Sequence, residues 1–364
     1  MRAQAAILYE VNKPLAVEDV EVLEPGPHEV LVRFVANGVC HSDLHVMTGD
    51  YPHPLPVVLG HEAAGIIEKV GAGVESVRRG DHVCSSYIPS CGRCSYCING
   101  TPTLCALRDK PRWFMHDGTP RFKRGGEGIH HFLQVSGYST HAVLPEDSVI
   151  PIRADAPLDV ACLVSCGVLA GAGPVINRAK VPPGASVAVF GCGGVGLAAV
   201  LGAGLISAQP VIAVDPLPDK RAMALGLGAT HAVDPAEGDP ADQIRAIVPG
   251  GVDHAFEAIG IPDVADQAFR SVRDGGTTVL IGQPAMGVKA GFDVYDVTQF
   301  EHTILGSNLG GANPALHVPG LARLAASGRL ELDPLVTHRM PLDRINEACE
   351  ITASGAGGRV VIEL

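Results

Sequence analysis

Four cysteines, Cys91, Cys94, Cys97 and Cys105, stand in the pattern C-x2-C-x2-C-x7-C. Thiolates so close in sequence can close a tetrahedral site around zinc, and iron–sulfur ligation uses similar runs. Nothing nearby suggests electron transfer, and the set has no histidine and needs no open position. Both points favour a structural zinc that holds a loop with little core of its own. Elsewhere, Cys40 lies in GVCHSDLH, His61-Glu62 in LGHEAAGIIEKVGAGV and Cys166 in VSCGVLAGAG. Two cysteines and one histidine from separate segments are the donor types of a Cys2His zinc site, with a fourth position open to water or substrate. Each alone has a plainer reading, because a lone buried cysteine is often an inert packing group. Cys84, Cys162, Cys192 and Cys349 are read that way.

A second chemistry sits further along. The apolar run SVAVF leads into Gly191-Cys192-Gly193-Gly194-Val195-Gly196 and then an apolar helix-like stretch. This is G-x-G-x-x-G between a strand and a helix. The glycines allow a tight turn and close approach of backbone to a pyrophosphate, which the helix N-terminus attracts. The next apolar strand ends in Asp215, 19 residues after Gly196. A carboxylate there accepts the ribose hydroxyls of NAD and repels the extra phosphate of NADP. Lys220 is a candidate for the adenosine ribose.

The elements that must position these residues fall into two styles. The first 160 residues read as short strands broken by Gly and Pro, for instance 29–36, 62–70 and 81–86. After about residue 168, apolar runs at 186–190, 210–215, 252–258 and 277–282 alternate with helix-like stretches near 194–208, 217–227, 239–248 and 263–273. That rhythm predicts βαβ units and a parallel sheet buried on both faces. The tail, 309–364, carries two helix-like stretches and a final strand, and packs back on the first part. The expected domains are therefore 1–167, 168–308 and a returning segment 309–364. Residues 108–131 are polar, basic and Gly-containing, and are expected to form a long exposed loop.

Composition bounds the partners. Among 364 residues, 27 Lys and Arg against 39 Asp and Glu leave a net charge of −12, which argues against nucleic acid or an anionic membrane. No window holds an uninterrupted apolar stretch long enough for a transmembrane helix, and the N-terminus lacks a signal-peptide core. The expected location is the cytoplasm, where ten cysteines need a use other than disulfides.

Taken together, these residues resemble the zinc-dependent medium-chain alcohol dehydrogenases. G-H-E-x2-G-x5-G-x2-V from Gly60 to Val74 is similar to that family's zinc signature. The four-cysteine lobe, Cys40, Cys166, GCGGVG and Asp215 follow in the family's order. The resemblance spans essentially the whole chain, and the stretch 108–131 is like the longer loop of the dimeric branch. It implies an α/β fold: a GroES-like β-rich catalytic domain beside a Rossmann cofactor domain. It implies two zinc ions per chain, a catalytic one on Cys40, His61 and Cys166 and a structural one on Cys91, Cys94, Cys97 and Cys105. Glu62 would sit beside the metal, and Asp43 would hydrogen-bond His61. Ser42 would contact the alcohol, and His45 would end a relay carrying the proton to solvent. His41 and Arg359 would contact the pyrophosphate, with Gly191, Gly193, Gly194, Val195, Gly196, Asp215 and Lys220 completing the cofactor site. Tyr87 would wall the substrate pocket, suiting a substrate of some bulk. His41 stands where some relatives have arginine, which implies a weaker hold on the pyrophosphate. The implied activity is reversible hydride transfer between a primary or secondary alcohol, bulky or aromatic ones included, and NAD. The partners are a small alcohol or aldehyde and a second copy of the chain, with a tetramer the alternative assembly. A thiol-dependent formaldehyde dehydrogenase shares the scaffold and is the alternative activity; a non-catalytic relative would be expected to lack a zinc ligand.

Overall fold

The computed structural model covers all residues, Met1–Leu364, and divides into two units: Met1–Cys166 with Asn313–Leu364, and Gly167–Ala312.

The first unit is built on β-structure. Five strands, Arg2–Leu8, Ala16–Val22, Phe122–Arg124, Glu127–His131 and Val57–Val58, close a small barrel. Beside it a seven-stranded sheet carries the long strands Glu29–Gly38 and Glu62–Val70. Their inward residues, among them Val30, Val32, Phe34, Ala63 and Ile67, share one core with Ile7, Val20, Phe122 and Ile129 of the barrel. Register decides what happens at one end of this sheet. Gly38 lies opposite Glu62, and Val361 of the tail strand Arg359–Glu363 lies opposite Gly38 from the other side. Ala64 lies opposite Cys84 of the strand His82–Ser85. Residues just beyond those pairs, namely Cys40, His61, Tyr87 and Arg359, therefore emerge at the same edge. A slip of one residue would send each to the opposite face.

The second unit is a six-stranded parallel sheet. Its spatial order is His231–Val233, Val211–Val214, Val187–Phe190, Val252–Glu257, Val272–Leu280 and Thr303–Gly306. In chain order that is 3-2-1-4-5-6, the doubly wound arrangement whose ligands bind where the order reverses, outside the first strand. Every residue of Val187–Phe190 and Val211–Val214 is buried, as a sheet covered on both faces requires. Helices fill the gaps at Gly194–Leu205, Pro218–Gly226, Pro240–Ile247 and Pro262–Arg270, and three of these four begin with Pro, which suits the first helical turn. The chain is thus an α/β protein with a β-rich part and a parallel-sheet part. No single helix is long and apolar enough to cross a membrane.

The stretch 108–131 is exposed at 108–111, 116–119 and 124–128, as expected of a loop, but it is anchored by buried residues between them. Its end supplies two strands of the barrel, and Arg112, Met115, Arg121, Phe122 and Ile129 are buried. The buried polar residues misled because their donors find acceptors inside. Arg121 donates to both oxygens of Glu29 at 2.6 and 2.7 Å and to Asp117 at 2.6 Å. Arg112 donates to Gln134 Oε1 at 3.0 Å, to Ser148 Oγ at 2.8 Å and to the Tyr87 carbonyl. A helix at His41–Thr48, which the strand-like reading of the first part did not foresee, also shapes the site.

Candidate active site

Cys40 is the N-cap of the helix His41–Thr48. Its extended backbone turns the chain from the sheet edge into the helix, and its N–H donates to Asp43 Oδ2 at 3.3 Å. This reciprocal cap fixes Asp43, which is wholly buried. Asp43 also accepts from Gly60 N at 3.0 Å, Tyr138 Oη at 3.0 Å and His61 Nδ1 at 3.2 Å. Four donors converge on this one buried carboxylate, and it orients the imidazole with Nδ1–H toward Asp43 and Nε2 toward the metal position. Gly60 makes the approach possible: φ is +87°, and a Cβ there would come within 2.5 Å of Tyr138 N. Cys166 follows a short 3-10 turn, Cys162–Ser165, at the boundary of the first unit.

The donor atoms of Cys40, His61 and Cys166 all lie within 4.8 Å of one another. Electrostatics marks the spot as one made for a cation. The Cys40 thiol is held well below its usual range, chiefly by its hydrogen bond with Cys166, while burial opposes and His61 assists. Burial works against a charge on His61, yet the Asp43 carboxylate and Cys40 raise its pKa to about 10. A buried group that holds a proton this firmly does so because negative charge surrounds it; zinc would meet the same demand with three ligands and an open position.

Around this centre the structure gathers several of the expected residues. Ser42 Oγ lies 3.8 Å from Cys40 Sγ. His45 is half-buried, with Nδ1 3.3 Å from Asp50 Oδ2 and its ring 4.6 Å from that of Tyr51. Glu62 is buried and ion-paired with Arg359, which is also buried and electrostatically linked to Cys40. Within the first unit, Arg359 thus lies beside Glu62 and Cys40. His41 is exposed at the first turn of its helix. The ring of Tyr87 stands edge-on to His61 at 5.2 Å, as does that of Phe132 at 5.6 Å. Tyr51 Oη is enclosed without a hydrogen-bond partner. Sequence reading missed Tyr138, Tyr51 and Phe132. Only Phe132 carried any signal, as a large apolar residue after His130-His131.

The second metal cluster is equally compact. Cys91, Cys94, Cys97 and Cys105 bring their sulfurs within 4.8 Å of one another. Backbone N–H groups of Ala106 and Cys97 pull the Cys94 thiol down to about 6, and those of Arg93 and Cys94 lower Cys91. The lobe has almost no core: Tyr96, Ile98 and Leu104 remain exposed. A bound metal is the cross-link such a lobe needs. Cys84, Cys162, Cys192 and Cys349 are buried apart from both clusters, and burial raises each thiol.

In the second unit the glycine turn fits a dinucleotide. Gly191 has φ +87°, and a Cβ on Gly196 would fall 1.7 Å from Gly191 O, so strand and helix can pack this closely only with glycine. Space in front of Gly193 is open, with Lys220 Nζ 3.9 Å from where its Cβ would be. A cation over an open turn at a helix N-terminus is a cradle for phosphate. Asp215 is buried at the end of its strand. Its Oδ2 accepts from Cys192 N at 2.8 Å and its Oδ1 from Leu217 N at 2.9 Å, which ties the turn to the neighbouring strand.

Comparison with known proteins agrees with this geometry. Residues 26–154 match the alcohol dehydrogenase GroES-like domain, and residues 194–327 match the zinc-binding dehydrogenase domain. A zinc-binding-domain alcohol dehydrogenase from Burkholderia ambifaria is 38% identical, with TM-score 0.96, and the match covers 100% of this chain and 99% of that one. Benzyl alcohol dehydrogenase from Acinetobacter calcoaceticus is 34% identical over 100% of this chain and 99% of its own, with TM-score 0.95. A zinc-binding dehydrogenase from Sinorhizobium meliloti, bound to NADP, is 29% identical with TM-score 0.84, covering both chains fully. The chain belongs to the zinc-dependent medium-chain alcohol dehydrogenases, and it is an oxidoreductase of that family with a GroES-like domain and a Rossmann-type domain.

Proposed function

We propose that this protein is an NAD-dependent zinc dehydrogenase acting on primary alcohols whose carbinol carbon bears an aromatic ring, and on the matching aldehydes in reverse. The observation that carries the reading is the Cys40–His61–Cys166 donor set flanked edge-on by Tyr87 and Phe132. Two rings set against the ligand histidine favour a flat apolar substituent beside the reacting carbon. The benzyl alcohol dehydrogenase of Acinetobacter calcoaceticus, similar along the whole chain, supports that choice.

Cys40, His61 and Cys166 would hold the catalytic zinc, which supplies Lewis-acid polarisation of the alcohol oxygen, while NAD supplies the hydride acceptor. The protein's own groups then have definite tasks. Asp43 accepts the Nδ1–H of His61 and so fixes the ring orientation that points Nε2 at the metal position. Ser42 Oγ would accept the alcohol proton while giving up its own hydroxyl proton toward His45. His45, oriented by Asp50, passes a proton to solvent from its half-buried position. Glu62 and Arg359 balance each other beside Cys40, and that balance lets a buried carboxylate stay near the metal. Tyr87 and Phe132 exclude water and orient the ring. At the cofactor, the amides from Gly193 to Gly196 and Lys220 face the phosphates. Asp215 favours NAD, because a second phosphate on the ribose would meet a buried carboxylate. His41 and Arg359 remain the proposed pyrophosphate contacts. The reading includes a homodimer, from the likeness of 108–131 to the longer loop of the dimeric branch, and a cytoplasmic location, because six of ten cysteines stand in the two proposed metal sites and call for a reducing compartment.

The test is formation of reduced nicotinamide from NAD or NADP with benzyl, cinnamyl, hexyl and secondary alcohols, and with formaldehyde plus glutathione. Highest kcat/KM for an aryl alcohol with NAD supports the proposal. Preference for NADP, for aliphatic alcohols, or for the formaldehyde–thiol pair refutes it.

A further inference from the structure

The aromatic contacts around His61 continue beyond Phe132. The ring of His53 stands edge-on to Phe132 at 5.7 Å, and the ring of Trp113 lies 5.8 Å from His53. From His61 the rings step outward through Phe132 and His53 to Trp113. Burial falls along the way: His61 and Phe132 are buried, His53 and Trp113 half-buried. His53 donates Nδ1–H to the Pro54 carbonyl at 2.9 Å, and burial, the largest influence, lowers its pKa, so it presents a neutral ring.

Trp113 is the only tryptophan of the chain and sits in the 108–131 segment. That segment is pinned on both sides of it. Trp113 O accepts from His131 N at 2.8 Å, and Arg112 O accepts from Gln134 N at 3.0 Å. Gln134 Nε2 donates to Phe114 O at 2.8 Å, and the buried Arg112 guanidinium spans Gln134, Ser148 and the Tyr87 carbonyl. Trp113 is therefore fixed to the loop bearing Phe132 and to the residue carrying the Tyr87 ring. A benzyl ring placed against Phe132 fills one step of this series and leaves the outer two uncovered.

We propose that Trp113 and His53 form an outer aromatic platform that binds the distal part of the substrate, so the preferred alcohols are extended aryl alcohols with a conjugated chain or second ring beyond the benzylic unit. This rests on the aryl-alcohol reading above and adds a specificity-determining pair to it.

The test uses the zinc-loaded protein and two readouts. In the first, Trp113→Leu and Trp113→Phe are assayed with benzyl alcohol and with 4-phenylbenzyl alcohol. Loss of one aromatic contact should raise KM for 4-phenylbenzyl alcohol about 3- to 10-fold in Trp113→Leu. The benzyl alcohol KM and both kcat values should stay within about 2-fold, and Trp113→Phe should retain most of the wild-type preference. The second readout needs no turnover: 4-(4-nitrophenyl)benzyl alcohol, a quencher, should shorten the Trp113 fluorescence lifetime saturably in the wild type without NAD. Equal KM changes for both alcohols, no change for either, or absence of saturable quenching overturns the platform. A wild type that oxidises no alcohol defeats the activity reading instead, and the lifetime measurement still decides the platform, as it does if Trp113→Leu fails to fold.

Discussion

Removing one hydroxyl, in Tyr138→Phe, probes how the metal ligand is held. Tyr138 is fully buried, and its Oη donates to Asp43 Oδ2 at 3.0 Å. Asp43 would keep three donors, Cys40 N, Gly60 N and His61 Nδ1. A hydrogen bond to a charged group contributes about 1.5–3 kcal/mol. Because the carboxylate stays buried and three-quarters satisfied, only part of that loss reaches His61. Substitution of a group behind a metal ligand typically lowers affinity about 10- to 100-fold, and Tyr138→Phe should sit at the lower end, about 10-fold. Asp43→Asn removes the charge itself and should sit at the upper end, about 100-fold. The assay is zinc transfer to a colorimetric chelator, which resolves two populations per chain. Only the one belonging to Cys40, His61 and Cys166 should leave faster. If both populations accelerate equally, or neither does while the protein loses stability, then Tyr138 supports the fold and not the ligand, and the reasoning fails.

Four other outcomes follow from the same geometry. Asp215→Gly should narrow the NAD-over-NADP preference by at least about 10-fold, since like charges brought together cost several kcal/mol; it should also weaken NADH binding, because the Cys192 N–H loses its acceptor. Cys94→Ser should cut zinc to one ion per chain and lower the thermal midpoint, whereas Cys40→Ser should leave a folded, NADH-binding, inactive protein. His45→Gln should lose about 10-fold or more in rate at neutral pH and recover part of it with added imidazole, at unchanged zinc content. His131 gives a pH prediction: burial foremost, then Arg121, lowers its pKa to about 3, and its Nε2 accepts from Arg121 N. Below about pH 6.5 the unfolded chain takes up a proton that the folded one refuses, so stability falls by up to about 1.4 kcal/mol per pH unit down to about pH 3. Denaturant midpoints should track this fall, with a shallower slope in His131→Gln; an equal slope in that variant would assign the acid sensitivity elsewhere.

Those residues whose chemistry admits few alternatives were legible in the sequence. The four-cysteine spacing and the glycine turn with Asp215 each needed only local pattern. The set Cys40, His61 and Cys166 was read from its donor types and given its catalytic role by resemblance, and its proximity became explicable only through the pairing of Gly38 with Glu62 and with Val361. Strand periodicity located 62–70 as Glu62–Val70 and ended 29–36 two residues short of Gly38. What stayed hidden was long-range pairing of polar groups. Tyr138 reaches Asp43 across 95 residues, and Arg121 reaches Glu29 across 92. Polarity alone made the whole of 108–131 look exposed, because nothing local shows that Arg112 and Arg121 find acceptors inside. The helix His41–Thr48 was hidden because its cap is a cysteine paired with Asp43, and not one of the usual Ser, Thr, Asp or Asn signals.

The most direct measurement follows reduced nicotinamide formed from NAD and benzyl alcohol, against zinc content, as the metal is withdrawn from the Cys40–His61–Cys166 site and restored. The account predicts that the rate falls in proportion to the more weakly held zinc, returns when zinc is added back, and is absent in Cys40→Ser. Oxidation that persists in Cys40→Ser, or a fully zinc-loaded protein that reduces no NAD with any alcohol, would contradict it.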